Sequence, residues 1–186
     1  MRLFIAVNLP QQVRRGMWEA AESLRARSYP IRWVPPDSLH LTLKFLGEVA
    51  AEREEEIVGG IRRAVKGTKP FTLPIAGFGA FPSPVRPRVV WVGCEGVPSL
   101  ELLQHRVEQE MDRLGFPVEG RPFHPHLTLG RVKRGVKQRT LAGFAADLGP
   151  LEYAAEVLVE SVDLMQSELM RDGARYTRRR KVELEA

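Results

Sequence analysis

The tetrapeptide His-Leu-Thr-Leu occurs twice, at 40–43 and again at 126–129. The offset of 86 positions that superimposes the two copies also lays RLFIAV (2–7) on RVVWVG (88–93) without a gap. A repeat of this reach covers strand, helix and strand, so the chain is expected to contain two copies of one supersecondary unit. Histidine occurs only four times in the chain. Finding it twice before the same Leu-Thr-Leu makes chance a poor explanation.

The pattern along the chain agrees with that reading. RLFIAVNL reads as a first strand, followed by a helix from Pro10 to about Ser28, with proline in its first turn and Val13, Met17, Ala20, Ala21 and Leu24 on one face. IRWV, the breaker PPDS and the strand LHLTLKFLGEV come next. AEREEEIVGGIRRAVKG reads as a helix that starts acidic, ends basic and is closed by Gly67, the charge order a helix dipole favours. FTLPIAGFGAF is expected to close the first half. After the proline-rich loop PSPVRP the order restarts with RVVWVGC, the helix PSLELLQHRVEQEMDRLG and the strand HPHLTLGRV. EVLVESVDLMQSEL and ARYTRRRKVELE around Arg171-Asp172-Gly173 read as a hairpin that completes one of the sheets.

The expected architecture is an α+β fold of two similar lobes, each a small antiparallel sheet flanked by helices, rather than one continuous sheet. The 186 residues are read as a single bilobal domain, with a first repeat at about 2–80 and a second at about 88–186. LFIAVNLP is too short for a signal-peptide core, and no stretch approaches a membrane span, so no membrane partner is expected. Cys94 is the only cysteine, which excludes an intrachain disulfide and a cysteine-rich metal site and fits a cytoplasmic setting. A monomer is the default. Lys and Arg total 28 against 23 Asp and Glu, a net charge of +5, with local excess in RVKRGVKQR (131–139) and RYTRRRK (175–181). Such a surface favours polyanions through phosphate contact, although solvated basic loops produce the same count.

In a strand the side chains alternate between faces, so His40 and Thr42 point one way while Leu41 and Leu43 enter the core, and the same holds for His126 and Thr128. Two lobes facing across a cleft would bring two imidazoles and two hydroxyls onto one small ligand. Imidazole, with an ordinary pKa of about 6.5, lets one copy act as base and the other as acid on opposite sides of a reacting phosphorus. Each hydroxyl can donate to a non-bridging oxygen where charge grows. No cofactor or metal is needed for that chemistry.

The two motifs, FHPH before the second and LMQSEL…RYT near the end resemble the 2H phosphoesterase superfamily, and within it the bacterial and archaeal RNA 2′,3′-cyclic phosphodiesterases, also called 2′-5′ RNA ligases. The resemblance implies two lobes related by a pseudo-twofold axis around a central groove. It implies His40 and His126 as the catalytic pair, with His40 as proton donor and His126 as proton acceptor, and Thr42 and Thr128 as phosphate ligands. The implied partner is RNA with 2′,3′-cyclic phosphate ends, tRNA-derived ends among them, opened to a 2′-phosphate, with weak reversible 2′-5′ joining. Arg131 matches the family's basic residue after the second motif. Strict alternation from His126 puts it on the wrong face, so this role requires a bulge or the end of the strand at Gly130.

Lys44 continues the face of His40 and Thr42 by alternation and is a further candidate for a substrate phosphate. His124 and His126 form a His-x-His pair that could ligate a metal, but Pro125 lies between them and no other ligand motif is evident. His105 reads as a helix-surface bystander, Phe4 and Trp91 as core, and Ser167 and Tyr176 as lining of the site. Two other functions compete. One is a non-catalytic single-stranded RNA-binding module, for which the aromatic RNA-binding strand signature is missing. The other is a relative acting on a small cyclic nucleotide or an ADP-ribose cyclic phosphate.

Overall fold

The computed structural model describes residues 1–186. In chain order the elements are β1 (Arg2–Asn8), α1 (Gln11–Ala20), α2 (Glu22–Arg25), β2 (Ile31–Trp33), β3 (His40–Glu48), α3 (Glu54–Val65), β4 (Phe71–Pro82) and β5 (Pro87–Cys94), then α4 (Pro98–Arg113), β6 (His126–Val132), α5 (Phe144–Leu148), β7 (Ala154–Val159), β8 (Ser161–Met170) and β9 (Gly173–Glu183). The helix expected from Pro10 to Ser28 is broken at Ala21 into α1 and α2. No helix is long and apolar enough to cross a membrane.

The strands run in the order β7-β4-β5-β6-β3-β1-β8-β9, with β2 paired to β6. The first motif lies in the lobe β3-β1-β8-β9 and the second in β6-β5-β4-β7. The two lobes meet where β3 and β6 touch through one antiparallel pair, Leu41 with Leu127. Instead of two separate sheets, a single hinge-like pair joins both lobes into one strand path.

The lobes are also not the two halves of the chain. β4 does not close the first half but pairs with β5 and β7 in the second lobe. The C-terminal hairpin, closed by the pair Met170–Gly173, docks on β1 in the first lobe. The helices cross over in the same way. α4 packs on β3, and α3 packs on α4, β8 and β9, beneath the first lobe. α1 lies toward the second lobe, where Tyr153, just before β7, donates its hydroxyl to the Val13 carbonyl at 3.2 Å. Each strand-helix unit therefore lends its helix to the other lobe, and one continuous apolar core from Leu3, Ile5 and Leu41 through Leu127 and Val157 binds the two together. That burial is the main stabilising term.

The repeat carries one more irregularity. In β3, Ile5 pairs with Lys44 and Ala6 with Thr42, so Leu43 is an extra residue in a bulge. In β6, Val90 pairs with Gly130 and Trp91 with Thr128, which makes Leu129 the extra residue at the equivalent place. The strands that face them are displaced: Val90 occupies the place of Ile5, an offset of 85 rather than 86. The gapless superposition read from the sequence is thus wrong by one residue at the first strands. A one-residue slip exchanges faces, and Trp91 accordingly lies beside Thr128 instead of in the core.

Candidate active site

Antiparallel pairing at Leu41–Leu127 sets the two motifs head to tail. His40 and Thr42 flank Leu41, and Thr128 and His126 flank Leu127, so His40 is directed toward Thr128 and Thr42 toward His126. Leu41 and Leu127 are fully buried beneath them. Neighbouring strands lie about 4.8 Å apart, which brings all four polar side chains onto one floor between the lobes.

Both imidazoles are anchored alike. His40 Nδ1 lies 2.8 Å from the carbonyl oxygen of Ser38, and His126 Nδ1 lies 2.7 Å from that of His124. A carbonyl only accepts, so each Nδ1 carries a proton and donates it, leaving Nε2 as the free, proton-accepting nitrogen of the neutral ring. Aromatic rings wedge each imidazole. Phe4 and Tyr176 pack against His40 with centroids at 4.8 and 5.0 Å, and Phe81 meets His126 edge-on at 5.1 Å. Phe81 in turn packs on Trp91 at 5.2 Å. Only glycine fits at position 79, because a Cβ there would collide with the Trp91 ring.

Burial holds both histidines below the ordinary imidazole pKa, against the hydrogen bonds to the Ser38 and His124 carbonyls, which raise it. The guanidinium of Arg131 pushes both further down. Strict alternation from His126 would turn Arg131 away from both imidazoles, yet its pairing with Val89 sets it on the groove face. The bulge at Leu129 explains how it gets there: it resets the alternation after Thr128, so that Arg131 returns to the groove face.

The same bulge in the first lobe moves Lys44 the other way. Lys44 does not share the face of His40 and Thr42. The extra residue Leu43 turns it to the helix side, where it is only 6% exposed and its Nζ lies 2.6 Å from Glu108 Oε2 and 2.8 Å from the Pro117 carbonyl oxygen. The residue returned to the groove face is Phe45, 64% exposed and 6.1 Å from Phe4 between ring centroids. Lys44 is thus a buried strut and not a substrate ligand. Alternation alone could not reveal this, because bulges leave no mark in an apolar run.

Several groups around the site escaped the sequence reading. Phe81 reaches His126 from β4, a strand that chain order assigns to the first lobe and strand pairing to the second. Beside His40, Asn8 donates to Asp163 Oδ2 at 2.6 Å, and Asp163 is 1% exposed with Arg178 3.8 Å away. Burial raises the Asp163 carboxyl above its ordinary pKa. Tyr176 lines the groove as expected, opposite Ser167 in the hairpin. Burial pushes the Cys94 thiol up to about 12, which removes it as a nucleophile at neutral pH. No group of three or more His, Cys, Asp or Glu side chains in the fold is arranged to hold a metal ion.

The sequence pattern of the 2′-5′ RNA ligase superfamily matches residues 13–170, a span containing both motifs and both bulges. The chain belongs to the 2′-5′ RNA ligase superfamily. Among its relatives, the RNA 2′,3′-cyclic phosphodiesterase of Methanothermobacter thermautotrophicus is 35% identical over 177 residues, 95% of each chain. That of Thermotoga maritima is 38% identical over 133 residues, 72% of this chain and 71% of its own. Among solved structures, TT0787 of Thermus thermophilus superposes with a TM-score of 0.83 at 33% identity, covering 99% of this chain and 98% of that one. E. coli LigT complexed with 3′-AMP gives 0.79 at 31% identity, covering 98% and 97%.

Proposed function

We propose that this chain is an RNA 2′,3′-cyclic phosphodiesterase that opens a terminal cyclic phosphate to a 2′-phosphate by acid-base catalysis between His40 and His126. The observation that carries the reading is the head-to-tail pairing of the two motifs at Leu41–Leu127, with both Nε2 atoms left free. Relatives named for this activity, similar over nearly the whole chain, supply the substrate class.

In-line displacement at phosphorus needs a base on the side of the attacking water and an acid on the side of the leaving oxygen. Two imidazoles on opposite lobes meet that demand. His126 takes the proton from water while His40 returns one to the departing O3′, so the phosphate stays on O2′. The hydroxyls of Thr42 and Thr128 donate to the two non-bridging oxygens, and the Arg131 guanidinium stabilises the charge that develops there. The same steps, with an RNA 5′-hydroxyl attacking in place of water and O3′ leaving as before, give a weak 2′-5′ joining reaction, and their reverse splits that bond again. RNA ends of the kind left by tRNA cleavage fit this chemistry.

Incubating the protein with an RNA that ends in a 2′,3′-cyclic phosphate tests the proposal. The expected product is a monoester that resists a 3′-specific phosphatase and yields to a general one. A product sensitive to the 3′-specific enzyme reverses the acid and base roles, and an unchanged cyclic end refutes the activity.

A further inference from the structure

β2 is a short strand that pairs only with β6, and its register sets Arg32 directly opposite Arg131. Ile31 and Trp33 of β2 pack into the core, which turns Arg32 to the opposite, groove-side face together with Arg131. Like charges directly opposite on neighbouring strands are destabilising. Nothing in the protein offsets this pair, because neither arginine takes part in any ion pair. The contrast with the C-terminal strand is sharp: Arg178, Arg179, Arg180 and Lys181 all meet Asp163, Glu54, Glu55 or Glu183.

The chain runs on from β6 into an exposed loop with Lys133, Arg134, Lys137 and Arg139, and the backbone N–H of Lys133 donates to the Pro30 carbonyl just before β2. None of these four cations has an acidic partner either, and no acidic residue occurs between Arg131 and Asp147. An uncompensated row of positive charge that begins at the reacting phosphate and leaves the groove in one direction matches a chain of regularly spaced anions.

We propose that Arg32 binds the internucleotide phosphate next to the cyclic end, and that the RNA strand leaves the groove across the β2–β6 edge and the 133–139 loop. This deepens the proposed function and rests on it for the identity of the strand. Two guanidiniums rooted about 4.8 Å apart repel and splay outward. In this arrangement Arg131 serves the terminal phosphate and Arg32 the one before it. Arg32 is thereby the residue that makes a polymer a better substrate than a cyclic mononucleotide.

The test measures binding without turnover, using a 5′-fluorescein pentaribonucleotide that already ends in a 2′-phosphate, by fluorescence anisotropy over a range of KCl. Arg32→Gln, with its fold checked by circular dichroism, is expected to weaken binding about tenfold and to lower the slope of log Kd against log salt by about 0.7, the release expected from one lost phosphate contact on a single strand. Arg32→Lys is expected to keep the slope, and the double variant Lys133→Gln/Arg134→Gln to lower it. In parallel, Arg32→Gln reduces the ratio of kcat/KM for a cyclic-ended pentaribonucleotide to that for a cyclic mononucleotide by a similar factor. An unchanged slope and ratio overturn the path while leaving the phosphodiesterase reading intact. A wild-type protein that binds with an Arg32-dependent slope but never opens cyclic ends leaves the path standing and overturns that reading. A wild-type protein that does not bind the pentaribonucleotide overturns the path outright.

Discussion

At the scale of single residues, the site consists of two imidazoles with the same Nδ1 anchor and depressed pKa values. Replacing either with alanine is expected to lower kcat by about 10² to 10⁴, and Thr42→Ala or Thr128→Ala by less, in a steady-state assay on a cyclic-ended RNA. The pH dependence follows from the signs. Burial, and then Arg131, favour the neutral form of both rings. The acid must hold its proton and the base must have lost it, so kcat/KM should be bell-shaped with its maximum on the acid side of about 6.5, the ordinary imidazole value. Its two apparent pKa values belong to the coupled pair. Arg131→Gln removes one of the depressing charges, so its maximum should move to higher pH while kcat/KM falls. A maximum that stays in place would mean that Arg131 does not act on the pair. That His40, Thr42, His126 and Thr128 share one face where the lobes meet could be read from the sequence, because a polar pair repeated inside an apolar strand has no packing reason to be there. The aromatic wedges Phe4 and Phe81 could not, since an aromatic in a strand looks the same whether it lines a core or a groove, and Tyr176 is legible only through the family resemblance of the closing hairpin.

At the scale of elements, the twin bulges at Leu43 and Leu129 decide which charged residue faces the groove. They deliver Arg131 and withdraw Lys44, and the two strands would be equivalent without the different residues at those places. Gly130, directly after the bulge at Leu129, holds the place that Lys44 holds in β3 and lies opposite Trp33 of β2. A Cβ there would stand 2.8 Å from Ile31 Cγ2 and 2.9 Å from Trp33 Cε3. Gly130→Ala is therefore expected to cost about 1–3 kcal/mol in urea denaturation. The Lys44–Glu108 pair holds β3, α4 and the segment leading to His126 together, since Glu108 also accepts from the Glu119 backbone N–H at 3.3 Å and Lys44 donates to the Pro117 carbonyl. Glu108→Ala leaves a buried ammonium without its carboxylate and should cost about 3–5 kcal/mol, whereas Lys44→Met/Glu108→Leu should cost less than that single change. A double variant less stable than Glu108→Ala would mean that the pair contributes more than its own desolvation. Element types followed from periodicity, turn residues and charge order. Bulges did not, because they arise from how two strands settle against each other.

At the scale of the whole molecule, two copies of a strand-helix unit exchange helices and share one core, so that neither lobe is a unit of the chain. The sequence repeat announced two lobes but misplaced β4 and left the partner of the C-terminal hairpin open, because lobe membership depends on strand pairing between segments far apart in the chain. The exchange gives the site a common floor: each lobe contributes one histidine and one threonine, the first adds the aromatic wedges Phe4 and Tyr176, and the second adds Phe81 and Arg131. In the proposed mechanism acid, base and oxyanion donors all come from side chains, so turnover should survive dialysis against EDTA. Loss of activity restored by a divalent ion would favour a metal at His124 and His126. The most direct test of shared catalysis is a double-mutant cycle on kcat with His40→Ala, His126→Ala and both together, on an RNA with a 2′,3′-cyclic end. Groups that act as one unit on one phosphate lose nearly everything with the first removal, so the double variant is expected to be about as slow as either single one. Losses that multiply, or near-normal turnover in one single variant, would contradict the account.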